Sequence, residues 1–283
     1  MSARYDCADP QQRESGIAAA VTAVQQGGLV VLPTDTVYGV GADAFTPSAV
    51  TALLAAKGRG RNMPPPVLVG SVSAAAALAE SLGAFGQDLI DEFWPGPLTL
   101  VFRAASTLKW DLGDTLGTVA VRMPLHPIAL ELLRKTGPMA VSSANRHGFP
   151  AATTAFEAES QLGYDISVYL NGGPCADSVP STILDLTGTV PRLLRAGAIN
   201  LDRLRKVVPV IDMPVLPAET DAAAPDAPAA PDAPAKPDAP TKPDAPVAPG
   251  YTAVIDDSGV PSTHPPKPAQ PHPLTGGDAG PGS

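Results

Sequence analysis

Apolar residues recur along residues 11–207 in two rhythms. Over 11–27, Ile17, Val21 and Val24 keep helical spacing and Gly27-Gly28 stop the run, which predicts a helix. The same spacing predicts helices over Pro47–Ala56 (Val50, Leu53, Leu54 on one face), Ser73–Leu82, Gln87–Phe93 and Pro127–Lys135, with a short one near Asp202–Val207. Short apolar runs predict strands at Leu29–Leu32, Pro66–Val69, Leu98–Phe102, Val119–Arg122, Met139–Ser142, Val168–Leu170, Thr182–Asp185 and Arg192–Arg195.

Helices and strands alternate irregularly. Several strands are apolar throughout, as in a sheet covered by helices, yet some neighbours have no helix between them. The fold class expected is α/β: an open, twisted, mixed sheet with flanking helices.

Polar residues cluster where strands end: Thr34-Asp35-Thr36, Arg122, Ser142 to Asn145, and Arg195. In α/β sheets the strand ends are where ligands bind. Ser, Thr, Asn and Asp also form turns, so each cluster alone is open to that plainer reading.

Composition changes at about Pro217. From there Ala, Pro, Asp, Lys and Gly dominate, and Asp226, Asp232, Asp238 and Asp244 recur every six residues. Dense proline removes N–H donors and fixes φ, and little apolar surface offsets the entropy of ordering. Two regions are expected: a folded domain over 1–216 and a disordered, partly polyproline II tail over 217–283.

Charge follows the same division. Residues 1–216 carry 16 Lys+Arg and 19 Asp+Glu, a net of −3, and the tail holds most of the total of −9. The domain therefore lacks the general basic excess of many nucleic-acid binders. Cys7 and Cys175, the two cysteines, form neither a disulfide framework nor a metal-ligand spacing. The start MSARYDCADP has no signal-peptide character, and no stretch approaches the roughly 18–20 apolar residues that span a bilayer. A cytoplasmic protein without membrane contact is expected.

KGRGRNMPPP, residues 57–66, places Lys57, Arg59 and Arg61 around glycines. Glycine lets a backbone approach a ligand, Arg offers a planar donor fork and Lys a compact charge. The stretch suits a polyanion but is not a Walker A loop; a solvated, RNA-facing basic loop is the alternative. Trp94-Pro95-Gly96-Pro97 reads as a stiff turn beside a core Trp. Tyr38 either faces a ligand or packs. His126 and His147 lack metal-ligand partners and read as structural or surface residues. Ser143 has no GxSxG context or His partner.

Together PTDTVYGVGADAF, KGRGRNMPPPVLV, WPGPLTLVF, TVAVRMPLHP, SSANRHGFPA and STILDL…PRLLRAGAI occur in the order found in the YrdC/Sua5 family, the L-threonylcarbamoyladenylate synthases. The chain resembles that family from about Gly16 to Ile199, in its short, single-domain form. The resemblance implies an open twisted sheet with a concave basic cavity. It also implies synthesis of threonylcarbamoyl-AMP and pyrophosphate from L-threonine, bicarbonate and ATP, with Mg²⁺ bound through the ATP. The product would pass to a downstream threonylcarbamoyl transferase complex acting on tRNA, for t6A at position 37.

By the same resemblance, Thr36, Arg122 and Ser181 would bind threonine. Lys57, Arg59, Met63, Thr118, Ser143, Ala151 and Arg195 would bind the nucleotide, and Asn145 would stand with Lys57 and Arg59 at the reacting groups. The small residues after Thr36 would keep the cavity wall clear. The chain departs from the family pattern at Met63, where Asn or Lys is frequent, and near Leu68, where longer members have a His.

Two other readings compete. A carbamoyl-adenylating module of hydrogenase maturation would share the domain but also carry acylphosphatase and zinc-finger parts. A non-catalytic RNA-binding protein would use the basic loop, and weak RNA binding there is compatible with the net charge.

Overall fold

The computed structural model describes residues 2–175 and 179–212. The expected tail over 217–283 lies outside the described residues.

The chain runs β1 (Ala3–Asp6), α1 (Pro10–Gln25), β2 (Val30–Leu32), β3 (Gly39–Asp43), α2 (Pro47–Lys57), β4 (Val67–Leu68), α3 (Val72–Leu78) and α4 (Gly83–Phe93). It continues through β5 (Leu98–Arg103), β6 (Thr118–Arg122), α5 (Pro127–Thr136), β7 (Met139–Ser143) and α6 (Ala155–Leu162). The last elements are β8 (Val168–Asn171), β9 (Thr182–Asp185), β10 (Arg192–Arg195), α7 (Leu201–Arg205) and β11 (Ile211–Asp212). Among the described residues all strands join one mixed sheet, in the order β1-β8-β2-β3-β7-β4-β6-β5-β9-β10-β11. The expected mixed α/β sheet is what the chain forms.

Helix boundaries follow their capping residues. Asp9 accepts the Gln12 N–H ahead of Pro10, Ser71 accepts from Ala74, Thr154 from Glu157 and Asn200 from Arg203. Gly58, at φ 65°, ends α2 directly after Lys57. The helix expected over Ser73–Leu82 stops at Leu78. There the backbone turns to the sheet: Ala79 bridges Ala104, and the Glu80 N–H bonds the Arg103 carbonyl.

Alternation along the strands sends side chains into two cores. Val31, Val40, Val67, Leu100, Val119, Val121 and Leu184 pack with α2, α3, α4, α6 and α7 on one side. Val30, Leu32, Leu68, Met139, Val141 and Leu170 pack with α1 and α5 on the other. That second core draws no residue from β5, β6, β9 or β10. On the α1/α5 side that core therefore stops at β4, and the face it leaves open on β5 and β6 carries Thr99, Thr118 and Arg122 alongside Val101 and Ala120. Leu68, where longer relatives of the pattern place a polar residue nearby, is buried in this α1/α5 core.

Like β1, α6 and β11, strand β3 (GVGAD) is absent from the expected elements. Its glycines do not act as expected. A Cβ on Gly39 would lie 2.6 Å from Val141 Cγ1, and one on Gly41 would lie 2.9 Å from Val141 Cγ2 and 3.0 Å from Met139 Cε. They are small because the neighbouring strand fills their side-chain space, not because they clear a cavity wall.

Candidate active site

The expected residues fall into three polar clusters, carried by β5, β6, β7, β10 and the segments around β3 and β9.

Lys57 anchors the first cluster. It is 1% exposed, the last residue of α2, and reaches the end of β7. Its Nζ donates to the Ser143 carbonyl at 2.6 Å, to Asn145 Oδ1 at 2.7 Å and to Ser143 Oγ at 3.3 Å. A buried ammonium requires such acceptors. Asn145 is fully buried, and its amide nitrogen bonds the carbonyls of Arg146 and Phe149, which fixes the turn after β7. Arg59 Nη1 donates to Ser142 Oγ at 2.9 Å.

Arg122 anchors the second. Nε donates to the Gly96 carbonyl at 3.0 Å, Nη1 to Thr36 Oγ1 at 3.0 Å and Nη2 to Asp35 Oδ1 at 2.5 Å. Burial pulls the proton affinity of this guanidinium down, and the Asp35 carboxylate opposes that pull. The stiff turn read from Trp94-Pro95-Gly96-Pro97 thus supplies an acceptor to the site. Trp94 itself is core, its Nε1 donating to the Leu98 carbonyl at 2.7 Å. Position 96 must be Gly, because a Cβ there would lie 2.4 Å from the Phe93 carbonyl oxygen. Thr34 Oγ1 supports the loop by donating to the Val37 carbonyl at 2.6 Å and lies 3.1 Å from Thr36 Oγ1.

Ser181 forms the third. Its Oγ lies 2.9 Å from Thr99 Oγ1 and accepts from Arg195 Nη2 at 3.0 Å. Arg195 also holds the Ser181 carbonyl through Nε and Nη2.

The remaining expected positions are more scattered. Thr118 shares the open face with Arg122, four residues along β6, and its hydroxyl donates to the Thr115 carbonyl. Ala151 lies in the loop between β7 and α6, beside Ala152, whose carbonyl accepts the Tyr38 N–H. Met63 is half-buried in the loop before β4. The cationic trio of 57–61 divides: Arg61 turns away and pairs with Asp111, at 2.7 and 2.9 Å, more than half exposed. It does not join Lys57 and Arg59.

Tyr38 packs. It is fully buried, its hydroxyl donates to the Gly173 carbonyl at 2.5 Å, and burial pushes the phenol up to about 12. Cys7 and Cys175 are free thiols. Asp35, Thr99 and Ser142 received no role from sequence, although Asp35 and Ser142 sit inside the quoted clusters. Thr99 gives no signal on its own, being one polar residue in an apolar strand.

Among the described residues no group of three or more His, Cys, Asp or Glu is arranged around a metal. The donors present are cations, hydroxyls and amides. They fit phosphate and carboxylate, so a Mg²⁺ ion would be held chiefly by the nucleotide that carries it.

Known proteins share this fold. The Sua5/YciO/YrdC family model, described as telomere recombination, matches residues 22–197. A Mycobacterium tuberculosis relative, named provisionally as a threonylcarbamoyl-AMP synthase, is 56% identical over 210 residues, 74% of this chain and 97% of that protein. The crystal structure of Pyrococcus abyssi Sua5 complexed with L-threonine superposes with a TM-score of 0.68 at 34% identity, covering 75% of this chain and 62% of that one. Escherichia coli YciO, at 24% identity and a TM-score of 0.65, shares the fold. A family match over more than half the chain and a relative matched along nearly its full length agree with the fold: the chain belongs to the Sua5/YciO/YrdC family.

Proposed function

We infer that the three clusters join L-threonine, bicarbonate and ATP into threonylcarbamoyl-AMP, releasing pyrophosphate. The chain is a threonylcarbamoyl-AMP synthase, a nucleotidyltransferase serving t6A modification of tRNA. The observation that carries this reading is the presence of two different anion-binding groups built on one sheet. Arg122 with Thr36 suits the carboxylate of a small amino acid, while Lys57 and Arg59 beside Ser142, Ser143 and Asn145 suit phosphates.

Threonine lies with its carboxylate on Arg122 and Thr36, and Ser181 contacts the same amino acid. Its amine, having lost a proton, adds to the carbon of bicarbonate or of the CO2 in equilibrium with it. The result is a carbamate, with water released from bicarbonate. A carbamate oxygen attacks the α-phosphorus of ATP, and the bond to pyrophosphate breaks. Lys57 and Arg59 offset charge on the phosphates, Arg195, Thr118, Ser143, Ala151 and Met63 line the nucleotide, and Asn145 holds Lys57 in place. Mg²⁺ enters with ATP. Positioning and charge neutralisation suffice for such a transfer, and no side chain needs to become covalent.

The labile adenylate then requires a downstream transferase that acts on tRNA. Among the described residues no helix is long and apolar enough to cross a membrane.

Pyrophosphate release from purified protein with ATP, Mg²⁺, bicarbonate and threonine, omitting each in turn, tests this. Release that needs both threonine and bicarbonate supports it. Release without them, or none from folded protein, overturns it.

A further inference from the structure

Asp35 presents a carboxylate whose two oxygens are treated differently. Oδ1 accepts from Arg122 Nη2 and from the Leu125 N–H at 2.9 Å, tying the loop before β3 to the loop before α5. Oδ2 is sealed from solvent and has no hydrogen-bond partner. A sealed oxygen cannot touch a ligand held by Arg122. Yet an acceptor left without a donor is costly, and an apolar side chain would remove that cost.

Arg122 has the converse arrangement. A guanidinium has five N–H donors, and three are bonded, to Gly96, Thr36 and Asp35. One N–H on each Nη is left for a ligand, a fork that matches a carboxylate. The pair is buried, with side chains 7% and 12% exposed, and together it is neutral.

A neutral buried pair is a poor receptor for a simple carboxylate, which would bring a net negative charge beside two groups already withdrawn from water. It is a good receptor for a zwitterion. The ligand carboxylate lies on Arg122, and its ammonium lies in the field of Asp35. The two dipoles run in opposite directions, and the complex stays neutral.

We propose that Asp35 is a positioning and specificity residue: it fixes the Arg122 guanidinium and makes the site select an α-amino acid over a carboxylic acid of the same shape. This rests on the reading that Arg122 holds the substrate carboxylate. Asp35 acts through Arg122 and through its charge, without contacting the substrate. The selection precedes chemistry, because only a ligand bearing an amine can form the carbamate.

The test is titration calorimetry of the full chain with L-threonine, with 3-hydroxybutyrate (threonine without its amine) and with ATP. The wild-type protein is expected to bind threonine at least about tenfold more tightly than 3-hydroxybutyrate; equal affinities overturn the proposal without any variant. Asp35→Asn keeps an oxygen for Arg122 and Leu125 but removes the charge. It is expected to weaken threonine by about tenfold, leave 3-hydroxybutyrate unchanged or tighter, and leave ATP within about twofold. Unchanged threonine affinity overturns the proposal, as does an equal loss for all three ligands, which would mark a structural role. Arg122→Lys separates the two levels. If it leaves threonine affinity intact, the carboxylate assignment itself fails; if it weakens threonine while Asp35→Asn does not, only the role of Asp35 fails.

Discussion

Lys57 Nζ lies 2.7 Å from Asn145 Oδ1, joining the last residue of α2 to the turn that follows β7. Neither side chain is accessible beyond 1%. The contact places a fixed positive charge at the strand end where the nucleotide phosphates are read to lie. Lys57→Met keeps the buried stem and removes the charge. It should lower pyrophosphate release about 10²-fold or more, the scale of losing a preorganised electrostatic group. A stopped assay at saturating ATP and threonine, beside a melting curve, checks it.

Thr36 Oγ1 accepts from Arg122 Nη1 at 3.0 Å. Thr36→Ala removes one neutral partner from an otherwise intact guanidinium, a change of about 1 kcal/mol. KM for threonine should rise roughly fivefold with kcat and KM for ATP little changed. An unchanged rate at limiting threonine would remove Thr36 from the site.

Gly39→Ala puts a methyl group where Val141 Cγ1 already stands. Overpacking of this kind costs about 1–3 kcal/mol. The urea midpoint should fall, and Val141→Ala in the same chain should recover part of the loss. Additive losses in the double variant would contradict the packing explanation.

The core strands and most helices were legible because Val, Leu and Ala repeat at clear periods and Gly27-Gly28 mark the end of α1. Strand β3 was hidden because its pattern depends on Val141, about a hundred residues on, filling the space above Gly39 and Gly41. The polar clusters were visible as strand-end residues, but their roles came from the family resemblance. What local sequence could not convey was partnership. Arg61 looks equivalent to Arg59 until Asp111 captures it, and Asp35 looks like a turn former until Arg122 arrives beside it.

Arg61 gives the sharpest test of that distinction. Its bidentate pair with Asp111 is exposed. Arg61→Ala should leave KM for ATP within about twofold. Arg59→Ala, by contrast, should raise it at least about tenfold. Parallel ATP titrations of the two variants decide the matter.

His126 carries a pH dependence. Burial holds its imidazole below the ordinary value of 6.5, against the opposing charge of Asp35. The folded state therefore resists a proton that the unfolded chain takes up. This contribution to stability is complete above 6.5 and shrinks as the pH falls from there toward the lower folded value. His126→Gln should lose less stability than the wild-type protein between neutral pH and about pH 5, measured as urea midpoints across that range.

The most direct measurement of the central claim is isolation of the product. The purified chain is incubated with ATP, Mg²⁺, carbon-labelled bicarbonate and differently labelled threonine, and the nucleotides are separated and weighed by mass spectrometry. The account predicts an adenylate carrying both labels, formed in step with pyrophosphate and lost in Lys57→Met. AMP or ADP without either label, or an adenylate carrying threonine but no bicarbonate carbon, would contradict it.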